Sequence, residues 1–211
     1  AMDVRHPGFS ARLMASDFEA AFKGLRPEDV SPLYYIAAGT LGAFSCDTMN
    51  FELSLSIPKA FACAVKALEL DADWNWGAIH DLFISLYGAL PEAMLFRVSE
   101  DEALKDPIRQ YLDKYYAAAG ISPGNAAAKG QYHFERAVEA AGNTNLSPYI
   151  SYAKSYCIAA QDKDGFESLL NSALKIDYER IHENRLANTL NAQKARWLLD
   201  HVDDFFLRYE E

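Results

Sequence analysis

The stretch AVKALELDADWNWGAIHDLFISLYGAL, Ala64 to Leu90, decides the fold. Ala, Leu, Lys and Glu favour helix up to Leu70, a short turn follows, and an aromatic-rich helix starts near Gly77. Small residues fall where two helices would touch. Outward from this stretch, KAFACAVKALEL, QYHFERAVEAAG, GFESLLNSALKI and ENRLANTLNAQKARWLLDHVDDFFLRY repeat the pattern, with apolar residues three and four apart. In the last segment Ala195, Leu198, Leu199, Val202, Phe205, Phe206 and Tyr209 form one stripe. Breakers are expected at Pro58, Gly77, Pro91, Ser122–Gly124, Gly142–Pro148 and Asp162–Gly165. FELSLSI at 51–57 is the nearest to a strand, and it lacks a partner across a hairpin turn. The chain reads as all-α.

Aligning Ala67, Ala137 and Ala173 gives spacings of 70 and 36 residues. These are near twice and once the period of about 34 of tetratricopeptide repeats. Ala64, Ala67, Ala137, Ala153 and Ala173 let backbones approach closely while Tyr and Phe fill the grooves. The expectation is one domain over 1–211, built of irregular tetratricopeptide-like helical hairpins. Residues 99–130 interrupt the repeat as an insertion holding an amphipathic helix near Pro107–Ala119, followed by a Gly/Ala/Pro-rich loop.

The 211 residues are 50% apolar and carry a net charge of −10. Such a surface repels nucleic-acid phosphates and anionic lipid, so neither is an expected partner. No apolar run approaches the roughly 20 residues of a membrane span. The opening AMDVRHPGF holds no targeting signal. Cys46, Cys63 and Cys157 lie far apart, without CxxC or zinc spacing, and are expected to be buried small hydrophobes.

Catalytic motifs are weak. His80-Asp81 resembles the start of a metal phosphohydrolase site, but a hydrogen-bonded helical pair is the simpler reading. HENRL at 182–186 opens like a zinc-protease helix and lacks the second histidine. No GxSxG, GxGxxG or Walker loop occurs, so the expectation is a protein that is not an enzyme and takes no cofactor or metal. The aromatics are more informative. Tyr149, Tyr152 and Tyr156 share a helix face, and Tyr87 follows His80 on the helix after the Trp74/Trp76 turn. Each reads either as packing or as the wall of a groove for a partner or apolar ligand. Asn184 is expected to cap the last helix. Arg185, Asn188 and Arg196 either brace repeats or meet a partner.

Three runs in this order, NLSPY, QDKDGFESLL and ENRLAN…ARWLL, resemble the T-component of TRAP (tripartite ATP-independent periplasmic) transporters. HPGF and LRPEDVSPLYYIAAGTLGAF fit more loosely, so the likeness covers nearly the whole chain. The resemblance implies a periplasmic lipoprotein, although the lipid-attachment cysteine does not occur in these residues. It further implies association with the solute-binding P-component and self-assembly around a central opening, with a trimer among the forms expected. The implied role is to scaffold the binding protein or help pass a hydrophobic ligand. Partner- or ligand-binding positions are then His80, Tyr87, Tyr149, Tyr152, Tyr156, Arg185 and Asn188. The competing expectation is a generic tetratricopeptide-like adaptor with no transport role.

Overall fold

The computed structural model describes residues 2–96, 106–122, 124–180 and 182–207. Helices α1 (Met2–Arg5), α2 (Phe9–Met14), α3 (Phe18–Phe22), α4 (Val30–Cys46), α5 (Phe51–Leu70), α6 (Trp74–Ala89) and α7 (Glu92–Phe96) come first. They are followed by α8 (Pro107–Ala118), α9 (Ala126–Ala140), α10 (Ser147–Tyr152), α11 (Ile158–Ala160), α12 (Lys163–Leu174) and α13 (Arg185–Asp200). A π-helical turn, Ala153–Cys157, joins α10 to α11, and short 3-10 turns flank α4 and α13. Among the described residues there is no strand, and the fold is all-α.

The chain forms two compact units, 1–74 with 90–125 and 75–89 with 126–211. The turn inside the opening stretch is therefore where the chain leaves the first unit for the second. Asn75, Trp76 and Gly77 all take positive φ there, so regular α6 geometry begins only beyond them.

In the first unit α4 and α5 pack along their lengths, with α7 and α8 against α5. Residues 60–65 of α5 are all buried, because the helix is covered on several sides. Each fully buried Phe or Ile here, such as Phe61 and Ile57, contributes about 1.5–3 kcal/mol. One expectation is corrected in this helix: Pro58 lies inside α5 instead of ending a segment. FELSLSI forms the first turns of α5, in keeping with the all-α reading. The Asn50 side chain caps this start, accepting from the backbone N–H groups of Glu52 and Leu53. A mid-helix proline costs about 3 kcal/mol, which burial of Ile57, Ala60 and Phe61 beside it offsets.

Asp29 ties the N-terminus to this unit. Its carboxylate is 1% exposed and meets the Arg5 guanidinium at 3.0 Å and His6 Nε2 at 2.9 Å. Cys63 is buried as expected, whereas Cys46 is exposed, because it ends α4 just before the Asp47 turn. The amphipathic helix expected in the 99–130 insertion is α8. Residues 99–105 and 123 lie outside the described residues, and 126–130 begin α9 instead of closing a loop, since an Ala-Ala-Ala-Lys run favours helix.

In the second unit Ile150, Ala153, Cys157, Phe166, Leu170, Ala195 and Leu198 make the main core. Leu199, Val202, Phe205 and Phe206 pack on it, as the C-terminal stripe predicts, while Tyr209 lies outside the described residues. Ala67, Ala137 and Ala173 are each fully buried in their own unit. Asp162 caps α12, its carboxylate accepting from the Gly165 N–H at 2.9 Å. Asn184 occupies the cap position of α13, yet its side chain makes no capping bond.

Candidate functional site

Helix periodicity gives α9 two working faces in the second unit. Lys129, His133 and Ala137 are four apart and turn to one side, and all three are buried. Gly130 and Phe134 turn to the other. His133 meets His80 of α6, with Nδ1 to Nδ1 at 2.7 Å and both rings fully buried. One ring must donate and the other accept, so this line holds a single proton. His133 also stacks on Phe83, with centroids 4.7 Å apart and rings 10° from parallel. Lys129 places its ammonium 5.2 Å from the Tyr87 ring centre, a cation–π contact. His80 and Tyr87, both expected at a binding surface, are thus buried with α9, at 0% and 6% exposure.

His80 is directed to His133 and not to Asp81. The Asp81 carboxylate instead accepts from the Ser147 hydroxyl at 2.6 Å. Burial pushes its pKa up, opposed by hydrogen bonds from Ser147 and Ser151 and by the charge of Lys194. Among the described residues no group of three or more His, Cys, Asp or Glu side chains is placed to hold a metal ion.

Burial holds His133 well below its ordinary value of 6.5, helped by the charges of His80 and Lys129. Below about pH 6.5 the unfolded chain takes up a proton that the folded ring refuses. The contribution is therefore complete above 6.5 and is lost as pH falls toward the folded value. Urea titrations should show a loss of about 1 kcal/mol per pH unit below 6.5 from this group. The slope should shrink in His133→Gln.

The tyrosines pack on the adjacent face of α9, around Gly130 and Phe134. Tyr152 stacks on Tyr156 at 4.7 Å and 18°. Phe134 leans on Tyr152 at 5.0 Å and meets Tyr149 edge-on at 5.2 Å. All three tyrosines are half-buried, and burial raises the pKa of each phenol. The Tyr149 hydroxyl donates to Asn143 Oδ1 at 2.7 Å. Gly130 makes room for Tyr156, because a Cβ there would overlap its phenol oxygen. Phe134 thus touches Tyr149 and Tyr152, and Tyr152 in turn touches Tyr156, so the three half-buried tyrosines form one run of ring contacts.

Asn188 and Arg185 separate. Asn188 is fully buried, accepting from the Leu146 N–H at 3.1 Å and donating to the Thr144 carbonyl at 2.8 Å. Arg185 and Arg196 are exposed on α13. Helix α13 also exposes Leu186, Leu190 and Trp197, at 74%, 57% and 53%.

A cleft in the first unit lies outside every expectation from sequence. It encloses about 450 Å³ where α3, α5 and the start of α8 meet. Its floor is Ala62, Val65 and Ile108, and its walls are Phe18, Phe22 and Tyr111. The signal that could have found it is the Phe18/Phe22 pair, four residues apart on a short helix. Its other walls come from distant segments.

The family model of the TRAP transporter T-component matches residues 1–95 and 93–206. The chain belongs to that family. A protein of Treponema pallidum (strain Nichols), described as "Uncharacterized protein", is 29% identical over 209 residues, covering 98% of this chain and 56% of the relative. The chain thus spans about half the length of the curated relative it matches. Family membership points to a TRAP transporter component. No helix among the described residues is long and apolar enough to cross a membrane.

Proposed function

We propose that this T-component acts in the periplasm as a non-catalytic partner of the TRAP solute-binding protein and helps pass a hydrophobic ligand toward the permease. The observation that carries the reading is the family match along both halves of the chain. The half-buried tyrosine face of α10 and the π-helical turn after it suits the docking role. Tyr149, Tyr152 and Tyr156 offer flat apolar area with a polar edge, at low cost in side-chain entropy. Arg185 at the start of α13 adds an exposed cation to the same unit. In this reading His80, Tyr87 and Asn188 support the surface from beneath and do not touch the partner. Self-assembly, with a trimer as one form, and an N-terminal lipid anchor belong to the same proposal.

Tyr152→Ala removes the central ring of the stack. Capture of the cognate solute-binding protein, measured by surface plasmon resonance, should weaken by about tenfold or more, while circular dichroism keeps its helix content. Unchanged capture by a well-folded variant overturns the tyrosine face as the docking site. Absence of any capture by the unaltered protein favours the generic adaptor.

A further inference from the structure

We propose that the cleft of the first unit is a binding site for an uncharged, largely apolar small molecule with flat rings. The proposal deepens the ligand-passing reading above and rests on it for its purpose.

Volume sets the scale. About 450 Å³ falls within the range of pockets that hold small ligands. Ala62 and Val65 beneath the cleft are 0% and 3% exposed, so its floor is the packed apolar core of α5. The walls are aromatic: Phe18 and Phe22 stack on one another at 6.0 Å and 11°, and Tyr111 stacks on Tyr115 at 6.0 Å and 25°. Such walls favour a flat guest by dispersion and ring offset.

Charge decides the class. The mouth carries Lys23 and Lys66 against Glu19 and Glu69, so the cations and carboxylates cancel. Lys66 is already held by Glu69 at 3.0 Å, and its side chain is only 17% exposed. A carboxylate or phosphate guest would bring an anion to a mouth with no net positive charge and an apolar floor. Moving an ion there costs more than its interaction with Lys23 returns. An uncharged guest pays no such cost. The Lys66–Glu69 pair, three residues apart on α5, instead keeps its polar groups paired at one edge of the cleft.

The test uses the whole chain and two fluorescent probes, uncharged N-phenyl-1-naphthylamine and anionic 1-anilinonaphthalene-8-sulfonate. The uncharged probe should bind saturably, one per chain, and more tightly than the anionic one. In Phe18→Ala its affinity should fall by roughly ten- to hundredfold, the loss expected when one apolar wall is removed. Because that variant could be less stable, methyl NMR on the unaltered protein gives a second measurement. The Ala62, Val65 and Ile108 methyl signals should move on titration, while those of Ala137 and Ala173 in the other unit stay in place. No saturable binding, tighter binding of the anionic probe, or shifts confined to the second unit would each overturn the proposal. Capture of the solute-binding protein is scored separately, so an empty cleft with intact capture strikes this inference alone.

Discussion

Gly77→Ala is expected to destabilise the protein by about 3 kcal/mol or more. Gly77 has φ +76°, a left-handed conformation that a Cβ disfavours by roughly 1–2 kcal/mol. The new methyl would also stand 2.9 Å from the Ala137 Cα and 3.0 Å from its carbonyl oxygen. These are backbone atoms of α9, which cannot rotate away as a side chain would. Overpacking of this kind adds about 1–3 kcal/mol. Chemical denaturation followed by circular dichroism measures the sum. A loss below about 1 kcal/mol would mean that α9 slides freely at this contact and that its close approach to Gly77 is not fixed.

Asn188→Leu is expected to cost about 3 kcal/mol, although the replacement is apolar, similar in size and buried. The amide of Asn188 is a bridge between backbone groups, satisfying the Leu146 N–H and the Thr144 carbonyl where the chain turns into α10. Leucine leaves both unpaired, and each buried orphan costs about 1–3 kcal/mol. Asn188→Asp should be at least as harmful near neutral pH, because its buried carboxylate would face the Thr144 carbonyl without a counter-charge. At acid pH the neutral carboxyl can accept from Leu146 and donate to Thr144, so part of the stability should return there. If the Leu variant melted like the parent, the bracing role would fall and Asn188 would return to the list of partner contacts.

Helical character was legible wherever the apolar period ran without interruption. The α13 stripe shows this best, since Ala195 and Leu198 are buried and Phe205 and Phe206 close over the same core. The burial of Ala67, Ala137 and Ala173 was legible too, because a small side chain among aromatics marks close backbone approach. Pro58 misled because a local rule about proline says nothing of the burial that outweighs it. Asn75 and Gly77 are residues that accept positive φ, but Trp76 between them gives no such sign. In the site, the shared face of Tyr149, Tyr152 and Tyr156 follows from spacing alone. The His80–His133 contact does not, since each histidine read alone is only a polar residue on an apolar face. Pairing them needs the packing of α6 on α9, which no local pattern encodes. The cleft was hidden for the same reason, its floor and walls coming from segments far apart in the chain.

The passage of the chain between its two units carries a consequence for how the molecule is made. Residues 75–89 belong with 126–211, yet they are followed by 90–125, which return to the first unit. During synthesis α6 therefore emerges well before the helix that will cover His80 and Phe83. Until α9 arrives, an apolar, histidine-bearing segment waits exposed, while the first unit also awaits its last helix. Neither unit is a contiguous piece of polypeptide: the first can close once residues 90–125 have emerged, the second only after the helices that follow residue 126. Intermediates with α6 uncovered are the species from which aggregation would start, and the ones a chaperone would have to shield.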